Sequence, residues 1–146
     1  MPIVTRKKAL CNSENINNID KDVYKSLDIV EFYVEYETLQ PAEDAILNLL
    51  RKELPTMNML DIGVGGGRTT RYFAPLVKQY LGVDYSVEMV EACEKKFPKL
   101  KFKVVDVRDL SMFEDNHFDF TLFSNNGLDY MNNEDRIKAL KEIHRV

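Results

Sequence analysis

At 146 residues, with 45% apolar and 30% charged side chains, the chain has the makeup of one soluble globular domain with a real core. A formal charge of −4 and a pI near 5.3 argue against a general binder of nucleic acid or of a bilayer surface, both of which favour basic proteins. No apolar run approaches the roughly 18–20 residues of a membrane span and the N-terminus has no apolar signal core, so a cytoplasmic location without membrane contact is expected.

Two cysteines, Cys11 and Cys93, make neither a disulfide framework nor a metal-ligand spacing. His117 and His144 have no cysteine or second histidine within motif distance, so no metal site is predicted. Cys93 falls in a helical pattern with Met89, Val90 and Phe97, which predicts a buried, unreactive thiol.

Residues 1–20 are polar and asparagine-rich, with a solvated Arg6-Lys7-Lys8 cluster, and read as a flexible lead-in to a domain over 21–146. From Val23 to Gln40 the chain is apolar and aromatic, in a pattern that fits two short helices broken around Asp28 and again before Pro41. Pro41 opens an amphipathic helix carrying Ala42, Ala45, Ile46, Leu49, Leu50 and Leu54, ending before Pro55. A first strand over 57–62 runs into the glycine turn Gly63-Val64-Gly65-Gly66-Gly67-Arg68, and a helix opens at Thr69. Pro75 breaks it. A second strand over 78–84 ends on Asp84, and Ser86 caps a helix over 87–97 with Glu88 in its first turn. A third strand over 101–106 ends on Asp106. Asp115-Asn116 turn the chain into a fourth strand over 118–124, with Phe118, Phe120 and Leu122 on one face and Thr121 and Phe123 on the other. Asn133 caps a last helix with Ile137, Leu140 and Ile143 on one side.

Strands separated by helical segments, and too far apart for hairpins, predict βαβ units and a doubly wound parallel sheet in an α/β fold. Ligands of such sheets bind beyond the carboxyl ends of the strands, where this chain concentrates its Gly, Asp and Asn. Glycines at 63, 65 and 67 permit positive φ and close approach, and a helix N-terminus follows them; the turn serves either a ligand or the chain's own tight bend. A dinucleotide fingerprint places a third glycine where Arg68 stands, and Arg68 is too large for that packing role.

The pattern of Asp61, Gly63-x-Gly65-x-Gly67, Asp84 and Asp106 resembles the class I S-adenosylmethionine-dependent methyltransferases, a Rossmann-like family, over most of the chain. That resemblance implies S-adenosylmethionine as cofactor, S-adenosylhomocysteine as product, a small-molecule acceptor and no metal. It implies that Asp61 and the Gly63–Gly67 backbone face the methionine part, and that Asp84 accepts from both ribose hydroxyls. Tyr85 and Met89 would lie against the adenine, Asp106 would accept from its exocyclic amine, and the Val107 backbone would sit near a ring nitrogen. Ser124, Asn125 and Asn126 would line the space near the sulfonium and the acceptor, with Asp129 and Tyr130 on the acceptor side. Tyr33 and Tyr36 either close over the cofactor or pack their helix onto the sheet. Arg68 is open between a cofactor carboxylate, Glu37 and solvent, and Asp119 carries no assigned chemistry.

Relatives of this kind continue into a fifth strand, a helix and an antiparallel pair, so the chain is expected to lack the usual C-terminal strands. The fourth strand would then be an open edge with no proline and little charge, and self-association through it is expected. Weak turnover would follow. A non-catalytic cofactor-binding or interaction module on the same half-fold is the competing reading, and a nucleotide-dependent oxidoreductase is disfavoured by Arg68 and Asp106.

Overall fold

The computed structural model describes residues 26–124 and 127–146. The lead-in and the first of the two predicted N-terminal helices, like Asn125 and Asn126, lie outside the described residues. Four strands, β1 (Asn58–Ile62), β2 (Gln79–Asp84), β3 (Lys101–Val104) and β4 (Phe120–Phe123), form a parallel sheet in the order β3-β2-β1-β4. The described helices are α1 (Leu27–Glu35), α2 (Pro41–Leu50), α3 (Thr70–Phe73), α4 (Val87–Lys96) and α5 (Asn133–Arg145).

Alternation along β1 divides the core. Met59 points to one face, where it meets Leu47 of α2, Phe73 of α3, Val90 and Cys93 of α4, and Leu122. Leu60 and Ile62 point to the other, against Val105, Val107, Leu110, Phe113 and Ala139 of α5. Both faces are covered, which is the expected doubly wound arrangement. The chain steps from β1 through β2 to β3 in one direction and crosses back to β4 on the other side of β1, so the crevice beside β1 is the switch point.

Local signals hold at several boundaries. Pro41 stands at the start of α2, and a 3₁₀ turn at Ala74–Leu76 contains Pro75 and ends the short α3 segment. The Ser86 hydroxyl accepts from the Met89 N–H at 3.2 Å and caps α4. Asn116 takes φ 56° at the predicted turn, and its N–H donates to the Arg145 carbonyl at 2.8 Å. Asp119 proves to be structural: its Oδ2 accepts from the Asn58 N–H at 2.8 Å, joining the entrances of β1 and β4.

Other expectations are corrected. No helix joins β3 to β4; that connection is a chain of turns. Its backbone is satisfied by α5 side chains, with Arg145 donating to the Leu110 and Phe113 carbonyls at 2.9 Å and Glu142 accepting from the Leu110 N–H at 2.7 Å. Strand β3 stops at Val104, so Asp106 lies two residues past the strand instead of ending it. Phe118 precedes β4 and packs edge-on to Phe113 in the second core, away from Phe120 and Leu122. Asn132, not Asn133, caps α5 by accepting from the Asp135 N–H at 2.9 Å. That helix buries Ala139 and packs Ile143, leaving Ile137 and Leu140 about half exposed, because the small residue allows the closest approach to the sheet. Strand β4 pairs with β1 and stands at one edge of the described sheet.

Candidate functional site

At the carboxyl ends of β1 and β2 the chain forms a pocket of about 350 Å³, counted out to its open mouth. It is walled by Tyr33, Asp61, residues 62–66, Arg68, Thr69 and Ser124. The bend that makes its floor has positive φ at Gly63, Gly65 and Gly67 (68°, 52° and 81°), a backbone course that side chains with a Cβ rarely follow.

Asp84 is the second anchor of that bend. Its Oδ2 accepts from the Gly65 N–H at 3.0 Å and its Oδ1 from the Ser86 N–H at 2.9 Å, on a carboxylate 6% exposed. Burial raises its pKa, and the backbone donors from Ser86, Gly65 and Tyr85 restrain the rise. Asp61 is still more enclosed, at 1% exposure, and accepts from the Thr69 hydroxyl at 2.6 Å and the Tyr80 hydroxyl at 2.7 Å.

The roof is the C-terminal half of α1. A Cβ on Gly66 would stand 2.2 Å from the Tyr33 carbonyl carbon and 2.3 Å from the Val34 nitrogen, so only a hydrogen at that position lets α1 sit down on the bend. Lys96 of α4 holds it there, donating to the Val34 carbonyl at 2.7 Å and pairing with Glu37 at 3.2 Å. A cation at the last carbonyls of a helix is also favoured by the helix dipole. Tyr33 therefore overhangs the pocket, whereas Tyr36 stacks on Phe32 and accepts from the Gln40 amide at 2.9 Å.

Arg68 is neither exposed nor paired with Glu37. It is buried and forms a two-pronged pair with Glu43 of α2, one prong at 2.7 Å, while Glu37 pairs with Arg71 instead. Glu43 also accepts from the Ser124 hydroxyl and from the Gln40 N–H, the latter at 2.7 Å. Burial opposes its charge, and the donors from Arg68, Ser124 and Gln40 outweigh that, holding its pKa below the usual value. One carboxylate thus ties α2, the glycine bend and the end of β4 together. Glu43 has a local signature only as the N3 residue of a capping box with Gln40; nothing near it in the chain announces Arg68.

The remaining candidates are distributed around this centre. Tyr85 is 43% exposed beside Asp84, with its phenol pushed up to about 12 by burial and by the neighbouring Asp84 and Tyr33. Met89 and Val107 are core residues, at 2% and 6% exposure. Asp106 holds Arg108 through both carboxylate oxygens, and Arg108 reaches on to Asp135 of α5 at 2.8 Å. Asp129 and Tyr130 are exposed and lie outside the pocket wall. Cys93 is fully buried, donates to the Gly65 carbonyl at 3.1 Å and has its thiol pushed up to about 12, as an unreactive cysteine should. No cluster of metal-ligating side chains occurs among the described residues, and no described helix is long and apolar enough to cross a membrane.

A known family, described as a methyltransferase domain, has a model that matches residues 59–146, the span that holds the glycine bend and the acid at the end of β2. The chain belongs to this methyltransferase domain family. It is similar to an uncharacterized methyltransferase of Schizosaccharomyces pombe, 32% identical over 117 residues that are 77% of this chain and 45% of that protein. It is likewise similar to the uncharacterized methyltransferase YcgJ of Bacillus subtilis, 31% identical over 122 residues, 80% of this chain and 47% of that one. The crystal structure of YcgJ superposes with a TM-score of 0.56 at 30% identity, over 70% of this chain and 46% of that chain. The N-methyltransferase NodS of Bradyrhizobium japonicum, crystallised with S-adenosyl-L-homocysteine, shares the fold with a TM-score of 0.61 at 18% identity, covering 84% of this chain and 66% of its own. The chain spans about half the length of the curated relatives named here.

Within this methyltransferase domain, Asp61 has a measurable electrostatic consequence. Burial pushes its carboxyl from an ordinary 3.8 up to about 6, against the pull of the Thr69 and Tyr80 donors. The folded state then holds the proton more tightly than the unfolded chain. The stability this group contributes is fully present below about pH 4 and is lost as pH rises toward 6, by on the order of 3 kcal/mol. Urea unfolding of the ligand-free chain should therefore show Asp61→Asn gaining on the wild type between pH 4 and 7. A difference between the two that stays flat with pH would contradict this account.

Proposed function

We propose that the chain binds S-adenosylmethionine over the glycine bend and transfers its methyl group to a small-molecule acceptor. The observation that carries this reading is Asp84: a buried carboxylate bound to the bend's own Gly65 N–H, so that acid and bend form one unit at the carboxyl ends of β1 and β2, just behind the pocket wall. With two oxygens and about four acceptor directions, it takes backbone donors from Gly65, Ser86 and Tyr85 and keeps one direction for a ribose hydroxyl. Membership of the family and the S-adenosylhomocysteine bound by NodS support the choice of ligand.

The residues present fit such a guest. The bend lines the pocket with residues 62–66, Asp61 offers an acceptor for an ammonium, and Tyr85 offers an exposed ring beside the ribose acid. Asp106 is engaged on both oxygens by the Arg108 guanidinium and N–H, so an exocyclic amine would have to share those oxygens with Arg108. When bound, S-adenosylmethionine supplies a methyl group on a sulfonium, already a good leaving group. The chain's part is then alignment and exclusion of water: α1 and Tyr33 cover the pocket, and the Glu43 hub fixes the bend relative to the end of β4. Orientation of this kind is worth up to roughly 7–11 kcal/mol of barrier. A general base is needed only if the acceptor is protonated at the working pH.

Titration calorimetry with S-adenosylmethionine and S-adenosylhomocysteine, followed by transfer of labelled methyl to a panel of amines, phenols and thiols, tests the reading. Binding of both with turnover of at least one acceptor class is expected. Binding without transfer would favour a cofactor-binding module, and no binding of either molecule would overturn the proposal.

A further inference from the structure

The wall of the pocket contains a positive group that a positive ligand should avoid. Arg68 lines the pocket, and S-adenosylmethionine carries its reactive charge as a sulfonium. We propose that Glu43, from outside the pocket wall, neutralises Arg68 so that the site accepts a cationic sulfonium, and that this pair sets the preference between the charged cofactor and its neutral thioether product. The inference rests on the reading of the pocket as an S-adenosylmethionine site and adds a residue pair that governs its charge.

Three observations carry it. The pairing is two-pronged, with both terminal nitrogens of Arg68 on the two oxygens of Glu43, and both side chains are under a tenth exposed. Water therefore screens both charges weakly, and each is compensated mainly by its partner. The remaining contacts of Glu43, with Ser124 and the Gln40 N–H, are donors that stabilise its charged form. Finally, Asp61 on the same wall feels Glu43 and Arg68 with opposite signs, the effect of two nearby charges that offset each other. The Arg68 Cζ so held also stands over the Tyr36 ring, 5.6 Å from its centre.

Removing only the negative partner leaves an uncompensated guanidinium facing the guest. Across several ångströms at an effective dielectric of about 20, a unit charge changes the affinity of a cation by about tenfold or more and that of a neutral molecule far less. A merely structural loss would weaken both ligands alike, so the ratio of the two affinities is the diagnostic quantity.

The experiment is calorimetric binding of S-adenosylmethionine and S-adenosylhomocysteine, near pH 8, to the wild type, Glu43→Gln, Arg68→Gln and the double variant. Thermal melts establish which variants fold. Glu43→Gln should shift the affinity ratio about tenfold toward S-adenosylhomocysteine, Arg68→Gln should shift it toward S-adenosylmethionine, and the double variant should return to within about threefold of the wild type. If Glu43→Gln does not fold, the Arg68→Gln shift decides. Equal weakening of both ligands, or a ratio unmoved in Arg68→Gln, overturns the inference while leaving the pocket's identity intact. A wild type that binds neither molecule overturns the underlying reading instead.

Discussion

Asp84→Asn should weaken S-adenosylhomocysteine binding by roughly 30- to 150-fold, while the variant melts within a few degrees of the wild type. The asymmetry follows from what the carboxylate does when the site is empty and when it is filled. In the empty protein it is buried and costs desolvation, offset by the backbone donors from Ser86, Gly65 and Tyr85. Asparagine removes the charge and with it that cost, but turns an NH₂ toward backbone N–H groups on one side, so the two changes nearly cancel in stability. On binding, hydrogen bonds to a charged acceptor are worth about 1.5–3 kcal/mol each, and an amide offers one acceptor oxygen where the carboxylate offers two. A loss of about 2–3 kcal/mol gives the stated range. Calorimetry and a thermal melt of the same preparation check both halves. Affinity within threefold of the wild type would remove Asp84 from the ribose position and with it the main support for the proposed ligand.

Gly67→Ala should lower the melting temperature by roughly 5–15 °C. Its φ of 81° already costs a residue with a Cβ about 1–2 kcal/mol. The added methyl would also stand 2.4 Å from Phe97 Cε2 and 3.3 Å from Cys93 Sγ, so α4 must move or the ring must turn, an overpacking cost of about 1–3 kcal/mol. Each kcal/mol shifts the melting point of a domain of this size by roughly 2–4 °C. The displaced α4 also carries Lys96, the anchor of α1, so ligand affinity should fall along with stability. A variant that melts with the wild type would mean that the bend relaxes without disturbing α4. Gly67, not Arg68 at the next position, is thus the residue that allows close packing of the bend on a helix, and a dinucleotide-type fingerprint read at position 68 looks for it one residue too late.

How much of this architecture is legible in the sequence depends on the range of the interaction that creates each part. Positive φ at Gly63, Gly65 and Gly67 is a local demand, and local sequence announces it. The Ser86 cap and the Pro41 start are likewise written within a few residues of where they act. Helix α5 shows where this fails. Ile137, Leu140 and Ile143 make a plausible stripe, yet the face that docks is chosen by Ala139 and by the polar anchors Glu142 and Arg145, which hold the β3–β4 connection. That connection has no helical periodicity, and its order comes from a distant helix.

The sequence by itself determined a parallel α/β sheet with a side-chain-free bend after its central strand and an acid at the end of the next, because backbone sterics and hydrophobic period act between near neighbours. Tertiary structure alone decided that Arg68 faces Glu43, that Gly66 makes way for the backbone of Tyr33, and that Asp61 loses its water to Thr69 and Tyr80. Those are contacts between segments far apart in the chain. A charge, a gap or a hydroxyl finds its partner there only after the sheet has brought the segments together, and burial then gives the pairing its strength.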